Sequence, residues 1–155
     1  TEHRADVRWK EEKTGNTILH IAAKCGFVHN NPHTIRVLLS YGADPNSCND
    51  QGLTPLHLAA TWGTDIIVGM LLSASIDRDV TDNDYLTPFY HAVKPILDEE
   101  RSRSACLQRN ALKRQTPIIR RMVRANCDTL NFANYVARFP KLEQCINQDR
   151  DLLEW

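Results

Sequence analysis

The chain has 155 residues, one domain by length and enough to bury a continuous core. Nineteen basic residues balance nineteen acidic ones, so no global field favours nucleic acid or a membrane surface. No apolar run approaches the roughly 18 residues that a membrane span needs, and the five cysteines, odd in number and without CxxC spacing, fit free thiols in a reducing cytoplasmic or nuclear compartment better than a disulfide frame.

Residues 1–13 are largely polar, with Val7 and Trp9 as the large apolar side chains. They read either as an N-terminal cap, with Trp9 folded over the first helix pair, or as the tail of an earlier repeat, which Arg4-Ala5-Asp6-Val7 looks like. A start at Thr1 rather than Met is consistent with a piece excised from a longer chain. Gly15-Asn16-Thr17-Ile18-Leu19-His20-Ile21-Ala22-Ala23-Lys24-Cys25-Gly26 then reads as a turn followed by a short helix. A polar Asn/Pro linker over 27–33 leads to a second helix near His33–Tyr41, closed by Gly42-Ala43-Asp44. Residues 44–52 have the turn chemistry of a projecting hairpin finger.

The same pattern returns in Gly52-Leu53-Thr54-Pro55-Leu56-His57-Leu58-Ala59-Ala60-Thr61-Trp62-Gly63. Thr54 is placed to cap, and Pro55 sits at the first helical position, where its missing N–H costs nothing. Leu56 supplies an apolar knob, Ala59 and Ala60 keep one face thin, and Gly63 ends the helix. Thr64-Asp65 opens a second helix through Leu72. Leu86-Thr87-Pro88-Phe89-Tyr90-His91-Ala92-Val93 starts a third unit, whose second helix begins at Thr116-Pro117 and ends in Asn126-Cys127-Asp128. Eighteen residues more than in the second unit separate the two ends of this pair, and the excess falls within 96–115. Leu107, Ala111 and Leu112 offer only a thin apolar stripe, so 98–115 is expected to be poorly ordered. Beyond 129, Tyr135, Phe139, Leu142 and Ile146 recur at helical spacing and read as a divergent terminal cap, with Leu152, Leu153 and Trp155 extending the apolar cover.

Asp44 to Asp77 and Thr54 to Thr87 are both 33 residues apart. With the "TPLHLAA" and "GAD" stretches, the chain resembles the ankyrin repeat family. The resemblance implies an all-α solenoid of stacked helix pairs with β-hairpin-like fingers, because a pair this small needs stacked copies to bury its apolar face. Read so, the chain divides into 1–13, repeat 1 at 14–49, repeat 2 at 50–82, repeat 3 at 83–131 with its insertion, and a helical cap at 132–155. It also implies that His20 and His57 bond the turn of the neighbouring repeat. Tyr90 takes that slot in the third unit and shifts His91 by one position, which alters the bond there. The family varies the residues flanking the finger glycine and the pair before the helix-ending glycine, and these positions imply the partner-binding set. They are Lys13, Thr14, Asn16, Lys24 and Cys25 in the first unit. The second unit supplies Asp50, Gln51, Leu53, Thr61 and Trp62. Asn83, Asp84, Leu86 and Lys94 complete the set, with Tyr85 in place of the glycine.

Other chemistry is thin. Cys25, His29 and His33 share a four-residue spacing, but Gly26 and Pro32 break any continuous helix and no fourth ligand is near, so no metal site is expected. No GxSxG, phosphate loop, HExxH or cofactor motif is present, so neither an enzyme nor a cofactor is expected. Arg101, Arg103, Arg109, Lys113 and Arg114 lead a basic run without an acid from 101 to 127. It is either a solvated face or a patch for an acidic partner, for nuclear import or for nucleic acid; the lack of interleaved aromatics argues against single-strand stacking. Arg101-Ser102-Arg103-Ser104 is also a candidate for phosphorylation, which would invert the local charge. Trp62 is the sharpest single residue, since tryptophan anchors bury much area at little entropic cost. The expected function is therefore a protein–protein interaction module that uses the concave groove and finger tips. The alternatives are a regulatory or targeting segment of a larger enzyme resembling the LEM-domain nucleases, and a small inhibitor or regulatory subunit resembling the I-kappa-B group or acting on a kinase.

Overall fold

A computed structural model describes residues 6–25, 32–100 and 105–127, with backbone alone at 98–100 and 105–112. The described residues form six helices: α1 (Ile18–Lys24), α2 (Pro32–Ser40), α3 (Pro55–Trp62), α4 (Asp65–Leu72), α5 (Pro88–Glu100) and α6 (Ala105–Arg124). Helices α1, α3 and α5 pack side by side as an inner row, and α2, α4 and α6 as an outer row. Each inner helix also packs on the outer helix of its own unit. The chain is an all-α solenoid of stacked pairs, as the repeats predict.

Each pair is built from the same local chemistry. Thr17 and Thr54 stand in extended backbone just ahead of α1 and α3, and Pro55 takes the first helical position of α3. The outer helices end alike, with Gly42, Ser75 and Asn126 in the left-handed region at φ of 83°, 50° and 59°. The Ala43 and Cys127 N–H groups donate back to the Leu38 and Met122 carbonyls, both at 3.0 Å. Ala43, Ile76 and Cys127 follow these three residues into the core. Asn126-Cys127 thus occupies the Gly-Ala slot that the sequence assigns to it.

Leu19, Leu56 and Phe89 hold one position in the three inner helices and are fully buried. Ala23, Ala60 and Val93 lie one turn on from them, also fully buried, and α1, α3 and α5 pack against one another across this thin face. Ile35, Ile67, Val68, Leu71, Ile118, Ile119 and Met122 close the core from the outer row.

Two expectations are corrected. The described part of the insertion is helix rather than poorly ordered chain: 98–100 end α5, and 105–115 form the first half of α6, with 101–104 outside the described residues. The extra residues lengthen both members of one pair, to 13 and 20 residues, so each supplies a face for the other. Pro95 and Pro117 each remove only one N–H from the helical ladder. At the N-terminus Val7, and not Trp9, packs against the core, while Trp9 stays half-exposed. The linker at 27–31, Arg101 and Arg103, the two serines beside them, and the cap at 129–155 lie outside the described residues.

Candidate partner-binding groove

The fingers form first from local hydrogen bonds. The Asn49 carboxamide oxygen accepts from the Gln51 and Leu53 N–H groups at 3.0 and 2.9 Å. The Asp82 carboxylate does the same for Asp84 and Leu86, each at 2.9 Å. Gly15, Gly52 and Tyr85 each turn a finger in the left-handed region, at φ of 66°, 75° and 60°. Tyr85 therefore reproduces the glycine turn despite its side chain. Successive fingers are tied together at equivalent positions, Asp50 N–H to the Thr14 carbonyl and Asn83 N–H to the Gln51 carbonyl, both at 3.1 Å. The Asn49 and Asn83 amides add further links, to Asn16 Oδ1 and the Asp50 carbonyl.

Buried histidines bind this finger row to the helices. His20 Nδ1 accepts from the Thr17 N–H at 3.1 Å, which leaves Nε2–H to donate to the Leu53 carbonyl of the next unit at 2.8 Å. His57 repeats the pattern with the Thr54 N–H at 3.0 Å and the Leu86 carbonyl at 3.2 Å. Burial lowers both imidazole pKa values, that of His57 to about 4, against the opposing pull of those carbonyls. In the third unit His91 turns instead to its own finger, with Nε2 2.8 Å from Asp82 Oδ2 and Nδ1 3.4 Å from Thr61 Oγ1. Burial alone would raise the Asp82 carboxyl, but the Leu86 N–H, His91 and the Asp84 N–H outweigh it and hold the group below its ordinary value.

Against this frame lies a groove of about 560 Å³ between α1 and α3. Ile21, Cys25, Leu58 and Trp62 line it, with Glu11 and Asn16 from the first finger and Lys24 and Arg114 at its edges. Trp62 is 49% exposed. Arg114 comes from the inserted part of α6, which docks beside α3 through a bond from Gln115 Nε2 to the Thr61 carbonyl at 3.1 Å. The groove and the basic run, separate candidates in the sequence, thus meet at one place.

Of the sequence-derived positions, this groove gathers Asn16, Lys24, Cys25, Trp62 and Arg114. Lys13, Thr14, Asp50, Gln51, Asn83 and Asp84 are exposed along the finger row, and Lys94 is exposed on α5. Leu53, Thr61 and Leu86 are half-buried, and their carbonyls receive His20, Gln115 and His57. Lys113 is exposed near the groove's Arg114, and the side chain of Arg109 is outside the described set. Ile21 and Leu58 were missed. Both lie on the signature helices beside the core positions, where a 3.6-residue period does not separate groove from core by residue type alone. Among the described residues no group of three His, Cys, Asp or Glu side chains is placed to hold a metal, and no helix is long and apolar enough to cross a membrane.

The family model for ankyrin repeats in three copies matches residues 2–84. The chain belongs to the ankyrin repeat family. It is similar to mouse Rabankyrin-5, 36% identical over 81 residues, which are 52% of this chain and 7% of that protein. Mouse NF-kappa-B inhibitor delta is 37% identical over 90 residues, 57% of this chain and 25% of the relative. Mouse protein phosphatase 1 regulatory subunit 12A is 30% identical over 120 residues, 76% of this chain and 11% of the relative. The chain therefore spans a quarter or less of each of these three relatives. Two of the three are named for regulation, one as an inhibitor and one as a regulatory subunit.

Proposed function

We propose that this chain is a non-catalytic protein-recognition module that seats an apolar side chain of its partner on Trp62 in the α1–α3 groove. The observation that carries this reading is the groove itself, in which a half-exposed tryptophan stands among Ile21, Cys25 and Leu58 with cations at the edge. Indole area already fixed on a rigid helix is what a binding hot spot needs. Lys24 and Arg114 favour acidic groups next to that apolar anchor, and the finger row from Thr14 to Leu86 extends the contact surface. The names of two relatives, an inhibitor and a regulatory subunit, support an inhibitory or regulatory role.

The test is capture of partners from a lysate by the wild-type chain, by Trp62→Ala and by Lys24→Ala, each checked by circular dichroism. Truncation of a central anchor costs about 2 kcal/mol or more, so Trp62→Ala should lose the partner. Lys24→Ala should mainly alter on-rate and salt dependence. A folded Trp62→Ala that captures the same partner with the same affinity overturns the groove reading.

A further inference from the structure

The opposite, outer face carries a second surface that the groove does not use. Gly69 lies inside α4, where glycine weakens a helix. A Cβ placed there would stand 2.4 Å from Arg121 Nη1 and 2.9 Å from Arg121 Cδ and Cζ. The missing side chain is therefore the space in which Arg121 of α6 lies across α4. Its guanidinium is steadied by Asp65 Oδ2 at 3.3 Å, and the side chain remains 46% exposed. Arg121 separates two adjoining grooves, each of about 480 Å³. The first is floored by Leu39, Ile66 and Met70, with Arg36 at its rim. The second is walled by Pro117, Arg120 and Arg124. Ile66 is a large apolar residue left 45% exposed. Among the described residues Asp65 is the one carboxylate lining either groove, and it is already engaged by Arg121.

We propose that this outer face docks an acidic protein segment, with an apolar side chain entering between Ile66 and Met70 and carboxylates meeting Arg36, Arg121 and Arg124. Charge complementarity selects the occupant: among the described residues Arg36, Arg121 and Arg124 line the two grooves against the single carboxylate of Asp65, although the whole chain is neutral. Guanidinium groups recognise carboxylates through paired, planar hydrogen bonds. Arg121 is held in place before any partner arrives, so little side-chain freedom remains to be lost on binding. The apolar floor between the cations favours a protein segment over nucleic acid, because phosphate contacts alone make no use of it. Arginine beside exposed apolar area is also the composition of protein hot spots.

The test is an NMR titration of the whole ¹⁵N-labelled chain with a short glutamate-rich peptide bearing leucines at helical spacing. The same peptide with glutamine for glutamate and a DNA duplex are run beside it. Saturable shifts should centre on the amides of Arg36, Gly69, Met70 and Arg121. Arg36→Glu combined with Arg124→Glu, both exposed positions, should weaken binding by about tenfold or more, and Trp62→Ala should leave it unchanged. If the double variant fails to fold, the milder Arg36→Gln should still weaken binding and flatten its salt dependence. No saturable shift at millimolar peptide overturns the proposal, as do shifts centred on Ile21 and Trp62, equal binding of the glutamine peptide, or tighter binding of the duplex. A second copy of the chain as occupant would show as self-association without peptide, and would overturn it too.

Discussion

Acidification should unfold this protein through its buried histidines, and His57 sets the scale. Its ring is fully buried, with Nδ1 accepting the Thr54 N–H and Nε2–H given to the Leu86 carbonyl, so a second proton would displace a bond the core needs. Burial holds its pKa at about 4, where the unfolded chain's histidine has its ordinary 6.5. Above pH 7 both states are neutral and the contribution to stability is intact. As pH falls through 6.5 the unfolded chain takes up the proton first, and stability is lost progressively until the folded ring also protonates near 4. At about pH 5 the unfolded state is favoured by about 2 kcal/mol relative to neutral pH from this group alone. His20 is displaced in the same direction and adds to the loss. With a urea m-value of about 1–3 kcal/mol/M, the midpoint followed by circular dichroism should fall by about 1 M between pH 7.5 and pH 5. His57→Gln should begin less stable at neutral pH but lose less on acidification. An unchanged wild-type midpoint at the lower pH, or the same acid loss in His57→Gln, refutes the reasoning.

Gly52→Ala should destabilise by about 1–3 kcal/mol in the same urea assay, because the added Cβ meets the Asn83 N at 2.9 Å in a left-handed turn. Ala59→Leu should cost about 1–3 kcal/mol by overpacking the fully buried inner face of α3, and an unchanged midpoint would mean that this face is loosely packed. Gln115→Ala should cost about 1 kcal/mol or more by leaving the Thr61 carbonyl without its amide donor. Limited trypsin digestion should cut after Lys113 and Arg114 no sooner than after Arg121, since all three lie in α6; preferential early cutting at 113–114 would show that Gln115 does not dock the inserted half.

The repeated units were legible because their signals are local. Thr17 and Thr54 ahead of the inner helices, Pro55 at a first turn and Gly42 at a helix end each dictate a backbone conformation within a few residues. The 33-residue register then aligns Leu19, Leu56 and Phe89 without any knowledge of packing. Even Asn126 could be placed, since asparagine tolerates the left-handed turn nearly as glycine does. The insertion was not legible in this way. A thin apolar stripe on 105–115 argues against a helix standing alone, but α5 lengthens beside it, and pairing is a property of two segments that neither shows by itself. Arg114 joined Trp62 for the same reason: no spacing rule relates two positions 52 residues apart on different helices.

Tyr85 bears on how long this solenoid can grow. Gly15 and Gly52 lack a Cβ where the next finger passes: one there would meet the Asp50 backbone nitrogen at 3.0 Å and the Asn83 nitrogen at 2.9 Å. Tyr85 has the same turn geometry but carries a full side chain, 87% exposed. A further copy of the second unit grafted after the third could match the helices, yet its finger would collide with the tyrosine. For such a graft the helical rows and the finger row thus obey separate rules of extension, and Tyr85 bears on the second alone. An engineered longer array would have to restore glycine at position 85 before any added repeat could close its turn.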